Sequence, residues 1–397
     1  GVTPLHLAVE CGHHVAVQAL VASKATVQVR DQAGFTPLRG AALRSHGNTV
    51  RLLIDAHASF DAGGDHNASL LLSAAAKGDT ALMKSFVEKK MNINVIQDTT
   101  TSLHVAAMCG HSDAVQVLLD TKVTVDARDD RDWTPLHNAA ANGHSDVVKV
   151  LIDAKAEIDA RSHNASTPLY IAAMDGHSGV VKMLIDAKAQ IDGKDDTGYT
   201  PLHIAAQFGR SDTVQTLLDA KAAVNSMTNT GDTPLSCAAE YGPVVVVQML
   251  IDANAAVDVK NEYGKTPLHA ATMHNRSATV QVLVDAKADV DAKDDTGCTP
   301  LSRAAVYDRT DTVKVLVNAK ALIDDKDHRG YTALYRAAEH GYNVTIQALV
   351  EAKANVDLKA NDGSTPLHRA AREKHVSTAQ LLMGAKASVD IDDAANQ

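Results

Sequence analysis

Residues 200–209 read Thr-Pro-Leu-His-Ile-Ala-Ala-Gln-Phe-Gly, and the same frame returns along the chain at a fixed spacing. With that threonine as position 0, repeats start at Thr3, Thr36, Ser69, Thr101, Thr134, Thr167, Thr200, Thr233, Thr266, Thr299, Thr332 and Thr365. Every interval is 33 residues except the 32 between Ser69 and Thr101. Position +2 is Leu and position +5 is Ala in all twelve repeats, while +17 is Leu in eleven and Phe86 in the other. A period of this length marks a chain built by stacking one small supersecondary unit.

The chemistry of the frame predicts helix, turn, helix and an extended loop in each repeat. The threonine hydroxyl caps free N–H groups at a helix start, and proline at +1 has no N–H to leave unpaired. Leu136, Ala139 and Ala140 fall on one face at helical spacing, and the alanines let a neighbouring helix approach. Gly143, Gly176 and Gly209, at +9, suit the left-handed residue that stops the first helix. A second helix carries Val148 and Leu151 towards the adjacent repeat, and Asp195 to Gly198 read as a turn. One unit is too short to bury its own apolar face, so stacking on both neighbours completes the core.

Thr-Pro-Leu-His with the Ala pair and Gly at these offsets, on a 33-residue period, resembles the ankyrin repeat across essentially the whole chain. The resemblance implies an all-α solenoid of stacked antiparallel helix pairs, with β-hairpin-like loops along one edge. It also implies function by recognition, a partner protein being held on the hairpin tips and the concave face of the first helices.

Composition narrows the alternatives. Aromatics are only 3% of the 397 residues, so an aliphatic core is expected. Lys plus Arg number 38 against 48 Asp plus Glu, a net charge of −10 that opposes nucleic acid as the general partner. Cys11, Cys109, Cys237 and Cys298 form no C-x-x-C pair, so neither zinc nor a disulfide framework is suggested and a reduced intracellular, cytoplasmic setting fits. The most apolar run, Val244 to Ile251, is broken by Gln248 and is too short for a membrane span. Most of the 19 histidines are locked to +3, as His137 and His203, or to +10, as His144 and His177, which points to hydrogen bonding at turns rather than metal. The Asp clusters lack the spacing of a calcium loop, and no phosphate-binding glycine motif or nucleophile with its base is visible, so neither cofactor nor catalysis is expected.

Two departures stand out. Asp61 to Asn67 replace the usual turn and Ser69-Leu70-Leu71-Leu72 the usual helix start, so either a tolerated loop has drifted or a hinge near 61–69 separates repeats 1–2 (1–68) from repeats 3–12 (69–397). At +21, where the family usually has Gly, ten repeats carry Lys, as Lys188 and Lys221; a left-handed lysine costs about 1–2 kcal/mol. Asp at +19 and +25 neutralises that row, which argues for a solvated edge over a ladder for an acidic partner.

Positions +7, +8, +30 and +32 vary between repeats and are free to carry recognition. Eight of the thirteen aromatics fall there, among them Trp133, Tyr199 and Tyr331 at +32, Phe208, Tyr241 and Tyr307 at +8, and Tyr263 at +30, with Met273 beside them at +7. Large amphipathic side chains at exposed positions are the usual anchors of interfaces, the alternative being that they fill gaps between loops. The expected function is that of an elongated monomeric scaffold binding another protein. A second reading is a targeting segment of a larger polypeptide carrying a kinase, ubiquitin-ligase or channel domain, since the array starts and stops within the period. A third, small-ligand or lipid-headgroup binding, lacks a single-copy pocket motif.

Overall fold

The computed structural model describes residues 1–32, 35–43, 46–56, 58, 65–88, 93, 96–97 and 100–390, and within them each of the twelve repeats contributes two helices. They form two compact units, Gly1–Gly193 and Lys194–Gln397. Inside each unit first helices pack side by side on first helices and second on second, as Pro201–Gln207 does on Pro234–Tyr241 and Ser211–Asp219 on Val244–Asp252.

The helix start shows why the frame is so constant. Thr200 is extended at φ −95° and ψ 167°, its hydroxyl accepts the His203 N–H, and Pro201 opens the helix. His203 completes a capping box, the role usually taken by Glu or Gln. Its Nδ1 accepts the Thr200 N–H at 3.2 Å, and its Nε2–H donates to the Asp232 carbonyl at 3.0 Å. That second bond ties the helix start to the strand of chain entering the next repeat. His137 makes the same link to the Ser166 carbonyl and His269 to that of Cys298. The +10 histidines also join repeats, as His144 does by donating to the Met108 carbonyl at 3.0 Å. Leu202, Ala205, Val214 and Leu217 are fully buried in the seam, each leucine contributing about 2 kcal/mol of apolar burial.

Second helices end as the lysine row requires. Lys221 has φ 66° and Lys188 φ 72°, and Asn254 at the same position has φ 64°. The Lys221 N–H bonds the Leu218 carbonyl at 2.9 Å and the Ala222 N–H reaches Leu217 at 3.0 Å, a Schellman motif with lysine where glycine is usual. Lys90 lies outside the described residues. Gly242 differs from the other +9 glycines: Pro243 follows it and holds it extended at φ −77°, ψ 166°. A Cβ there would come within 2.6 Å of the Ala206 carbonyl, so glycine is needed for room.

Loops are laced to their neighbours by backbone bonds. The Asp295 N–H donates to the Tyr263 carbonyl at 3.1 Å, and the His328 N–H to Thr296 at the same distance. The +25 aspartates act as acceptors across repeats: Asp258 takes the Asp289 N–H at 2.9 Å and Asp291 that of Leu322 at 2.8 Å. These carboxylates therefore build the loop edge, a role beyond the turn-forming and solvated charge expected of them.

The third repeat corrects the expected helix start. Its first helix spans Asp65–Lys77 and begins before Ser69, because Leu70 replaces the proline that would force its predecessor to be extended. Residues 61–64 of the expected hinge lie outside the described residues, as does Thr99 in the shortened loop. Beside it Ile96–Gln97 pairs antiparallel with Thr100–Thr101.

Candidate protein-interaction surface

Position +8 is where the first helix ends. Phe208, His274 and Tyr307 are the capping residues there, with φ of −86°, −95° and −107°, and Tyr241 closes its own helix. From this place a side chain leaves the packed layer, and Phe208, Tyr241 and Tyr307 are 52%, 49% and 39% exposed. His274 and His340 occupy the same position and are exposed, so the ring row runs unbroken from the seventh repeat to the eleventh. The sequence signal for those two was available in the register but was masked by reading histidine as a turn residue. Tyr241 and His274 meet edge to face at 5.2 Å. Glu240 lies 3.1 Å from His274 Nε2, and its bond with the Tyr241 hydroxyl pushes that phenol up to about 12. Val244 and Val245 are exposed beside Tyr241, at places where repeats seven and five carry Ser211-Asp212 and Ser145-Asp146. Tyr263, at a loop tip, is 54% exposed with the Lys265 ammonium 5.7 Å from its ring.

The +32 aromatics behave differently. Trp133, in the first unit, is half-buried, stacked on His137 at 5.9 Å with Arg131 over its ring at 4.2 Å. Tyr331 stacks on Tyr335 at 4.2 Å with Arg336 at 4.5 Å. Tyr199 lies 5.6 Å from His203, and its hydroxyl is bonded to Cys237; burial pushes both groups up, the thiol to about 12. These three brace the hairpin against the next helix and expose only part of their rings. Met273 is half-buried, its carbonyl accepting from Arg309 Nε at 3.2 Å.

Position +4 is apolar at Ile204 and Cys237 but becomes Arg303, Arg336 and Arg369 in the last three repeats. Arg303 Nε donates to Asp294 at 2.7 Å and Arg336 to Asp327 at 2.6 Å. Ala360 stands where the third aspartate would be, and Arg369 pairs with Glu339 and Glu373 instead. Burial works against the Asp294 carboxylate, yet the bonds from Thr296 and Arg303 outweigh it and hold its pKa below the ordinary range. A residue type present in three repeats of twelve gave no periodic signal. Among the described residues no group of three or more His, Cys, Asp or Glu could hold a metal ion, and no helix is long and apolar enough to cross a membrane.

The sequence profile "Ankyrin repeats (3 copies)" matches residues 1–63, 70–162, 154–228, 220–294, 257–327 and 301–393. The chain belongs to the ankyrin-repeat family. A human ASB11 ankyrin repeat domain aligns with a TM-score of 0.51 and 30% identity, over 54% of this chain and 96% of that one. Human neurogenic locus notch homolog protein 1 is 31% identical over 137 residues, 34% of this chain and 5% of that protein. A Caenorhabditis elegans homolog of transient receptor potential cation channel subfamily A member 1 is 30% identical over 129 residues, 32% of this chain and 11% of that protein. The E3 ubiquitin-protein ligase XBAT33 of Arabidopsis thaliana is 31% identical over 128 residues, 32% of this chain and 24% of that protein. This ankyrin array thus spans a small part of the length of the curated relatives it matches.

Proposed function

We propose that this ankyrin array is a protein-binding scaffold without catalysis of its own, engaging its partner on the +8 ring row and the adjoining loop tips of Lys194–Gln397. The carrying observation is that Phe208, Tyr241, His274 and Tyr307 protrude from successive helix ends in a protein poor in aromatics. Exposed rings bury little apolar surface in the seam, whereas at an interface they supply rigid, amphipathic contact area. Tyr199 and Tyr331 position the loops from behind, and Met273 adds adaptable apolar surface between them. We place Trp133 at a separate contact in the first unit. The reading includes a reduced, cytoplasmic setting and a monomer, and the net charge of −10 favours a protein partner over nucleic acid.

A second reading, the targeting segment of a longer polypeptide, draws support from the small fraction of each relative that the array covers. Affinity capture from cell extract, with bound proteins identified by mass spectrometry, tests the primary reading when wild type is run beside Phe208→Ala/Tyr241→Ala. A partner lost from the double variant, with folding unchanged, supports the ring row. A partner retained in full places the interface elsewhere.

A further inference from the structure

In Lys194–Gln397 arginine and lysine are sorted onto different places. The six segments at +1 to +10, meaning first helix plus following turn, hold seven of the eight arginines but one of the thirteen lysines, Lys374. They carry eight cations against four carboxylates, and with Asp294 and Asp327 reaching Arg303 and Arg336 from the hairpins the balance is net +2, while the unit as a whole has 21 against 27, net −6. The same segments of the first unit are net zero. A basic face therefore lies on an acidic unit, built from the cation whose planar fork suits carboxylates and whose weak hydration suits interfaces.

The fold does not require this charge. At +10 a side chain can donate to a carbonyl at the end of the preceding first helix, and histidine does so elsewhere, as His144 to Met108 and His375 to Glu339, while Pro243 holds the position with no donor at all. Arg276 makes the equivalent bond to Tyr241 at 3.0 Å and Arg309 to Met273 at 3.2 Å. One bond occupies a fraction of a guanidinium's five N–H groups. These bonds also hold the two cations beside the ring row, and the apolar Val244 and Val245 are exposed in the repeat that precedes Arg276.

We propose that this face takes an acidic segment of a partner polypeptide, its carboxylates meeting Arg276 and Arg309 while an apolar side chain packs on Tyr241, Phe208 and Val244. The proposal rests on the protein-binding reading and names the chemistry of the partner. Peptide is favoured over nucleic acid because Glu240, Asp308, Glu339 and Glu373 are interspersed among the cations. A continuous row of phosphates would meet each of them, whereas carboxylates spaced along a peptide need not.

Selection of a displayed random sixteen-residue peptide library on the full chain tests it. Enriched sequences are expected to be net negative and to contain a large apolar residue. A synthetic peptide of that sequence should lose about tenfold in affinity against Arg276→His/Arg309→His at pH 8, and again against Phe208→Ala/Tyr241→Ala. The histidine variant keeps the carbonyl bonds that native repeats already make, so its melt should match wild type. Enrichment of neutral or basic peptides that need Phe208 and Tyr241 would overturn the acidic partner and leave protein binding standing. Acidic peptides indifferent to the histidine substitutions would also overturn it. An oligothymidylate sixteen-mer binding as tightly as the peptide, with the same arginine dependence, would replace peptide by nucleic acid. Selection of nothing that depends on this face would overturn both readings.

Discussion

His203→Gln should weaken the protein at pH 8 and leave it almost unchanged relative to wild type at pH 5. His203 is fully buried, and burial pushes its pKa from 6.5 down to about 4. The geometry supplies a further reason: Nδ1 already accepts the Thr200 N–H, so a proton there would set two donors against each other. Because the folded value is depressed, stability is complete above about pH 6.5 and is lost as the pH falls towards 4, where the unfolded chain binds the proton first. The full displacement corresponds to about 3 kcal/mol, of which about 2 kcal/mol is spent by pH 5. Glutamine keeps the capping box but gives up the bond to Asp232, costing about 1–3 kcal/mol at every pH. Wild type and variant should therefore converge near pH 5. Urea melts at pH 8, 6 and 5 would show it in the near-ultraviolet tyrosine signal, since seven of the eight tyrosines lie in Lys194–Gln397. Asp294 and Asp362, held below 3.8, begin to lose their contribution only under that value and do not confuse the window. Parallel stability curves, or a folded-state His203 resonance titrating near 6.5, would refute the reasoning.

Lys188→Gly and Lys221→Gly should each raise the unfolding free energy by about 0.5–1 kcal/mol, read as a higher denaturant midpoint at unchanged slope, as left-handed strain is relieved and part of the gain is lost to chain entropy. Destabilisation by both would mean that the cation's attraction to the helix end is the larger effect. Ser102→Pro should stabilise by about 1 kcal/mol in a thermal melt, because Thr101 is already extended at ψ 162° and the buried Ser102 hydroxyl has no partner; a lower melting temperature would show that the ring does not fit. Leu202→Ala should cost about 2–5 kcal/mol of folding, while Phe208→Ala should cost under about 1 kcal/mol and act on binding instead. Equal losses of stability would make Phe208 a core residue.

What the sequence made legible was whatever recurs. Leu202 and Thr200 do the same job in nearly every repeat, so their periodicity gave helix starts, core face and left-handed ends. Non-recurring chemistry was hidden. Arg303 finds Asp294 and Arg336 finds Asp327 nine residues upstream, a pairing that exists only because the hairpin folds back over the helix. The aromatics at +8 and +32 looked alike as variable positions. Only three-dimensional placement separates Phe208, which projects, from Tyr331, which lies flat on Tyr335. The +25 aspartates were visible as a row, but their acceptor role depends on a donor 31 residues away.

The backbone at +8 has a wider meaning. Phe208, His274 and Tyr307 sit at φ values open to almost any L-amino acid, directly after a helix whose start, core and neighbours are fixed by other residues. A position whose side chain leaves the packed layer is thus among the least constrained. On the proposed reading of the ring row, substitution there would rewrite the molecule's address without disturbing its grammar, and lineages carrying such an array could change partner by small, separate edits while the seam beneath stays as it was.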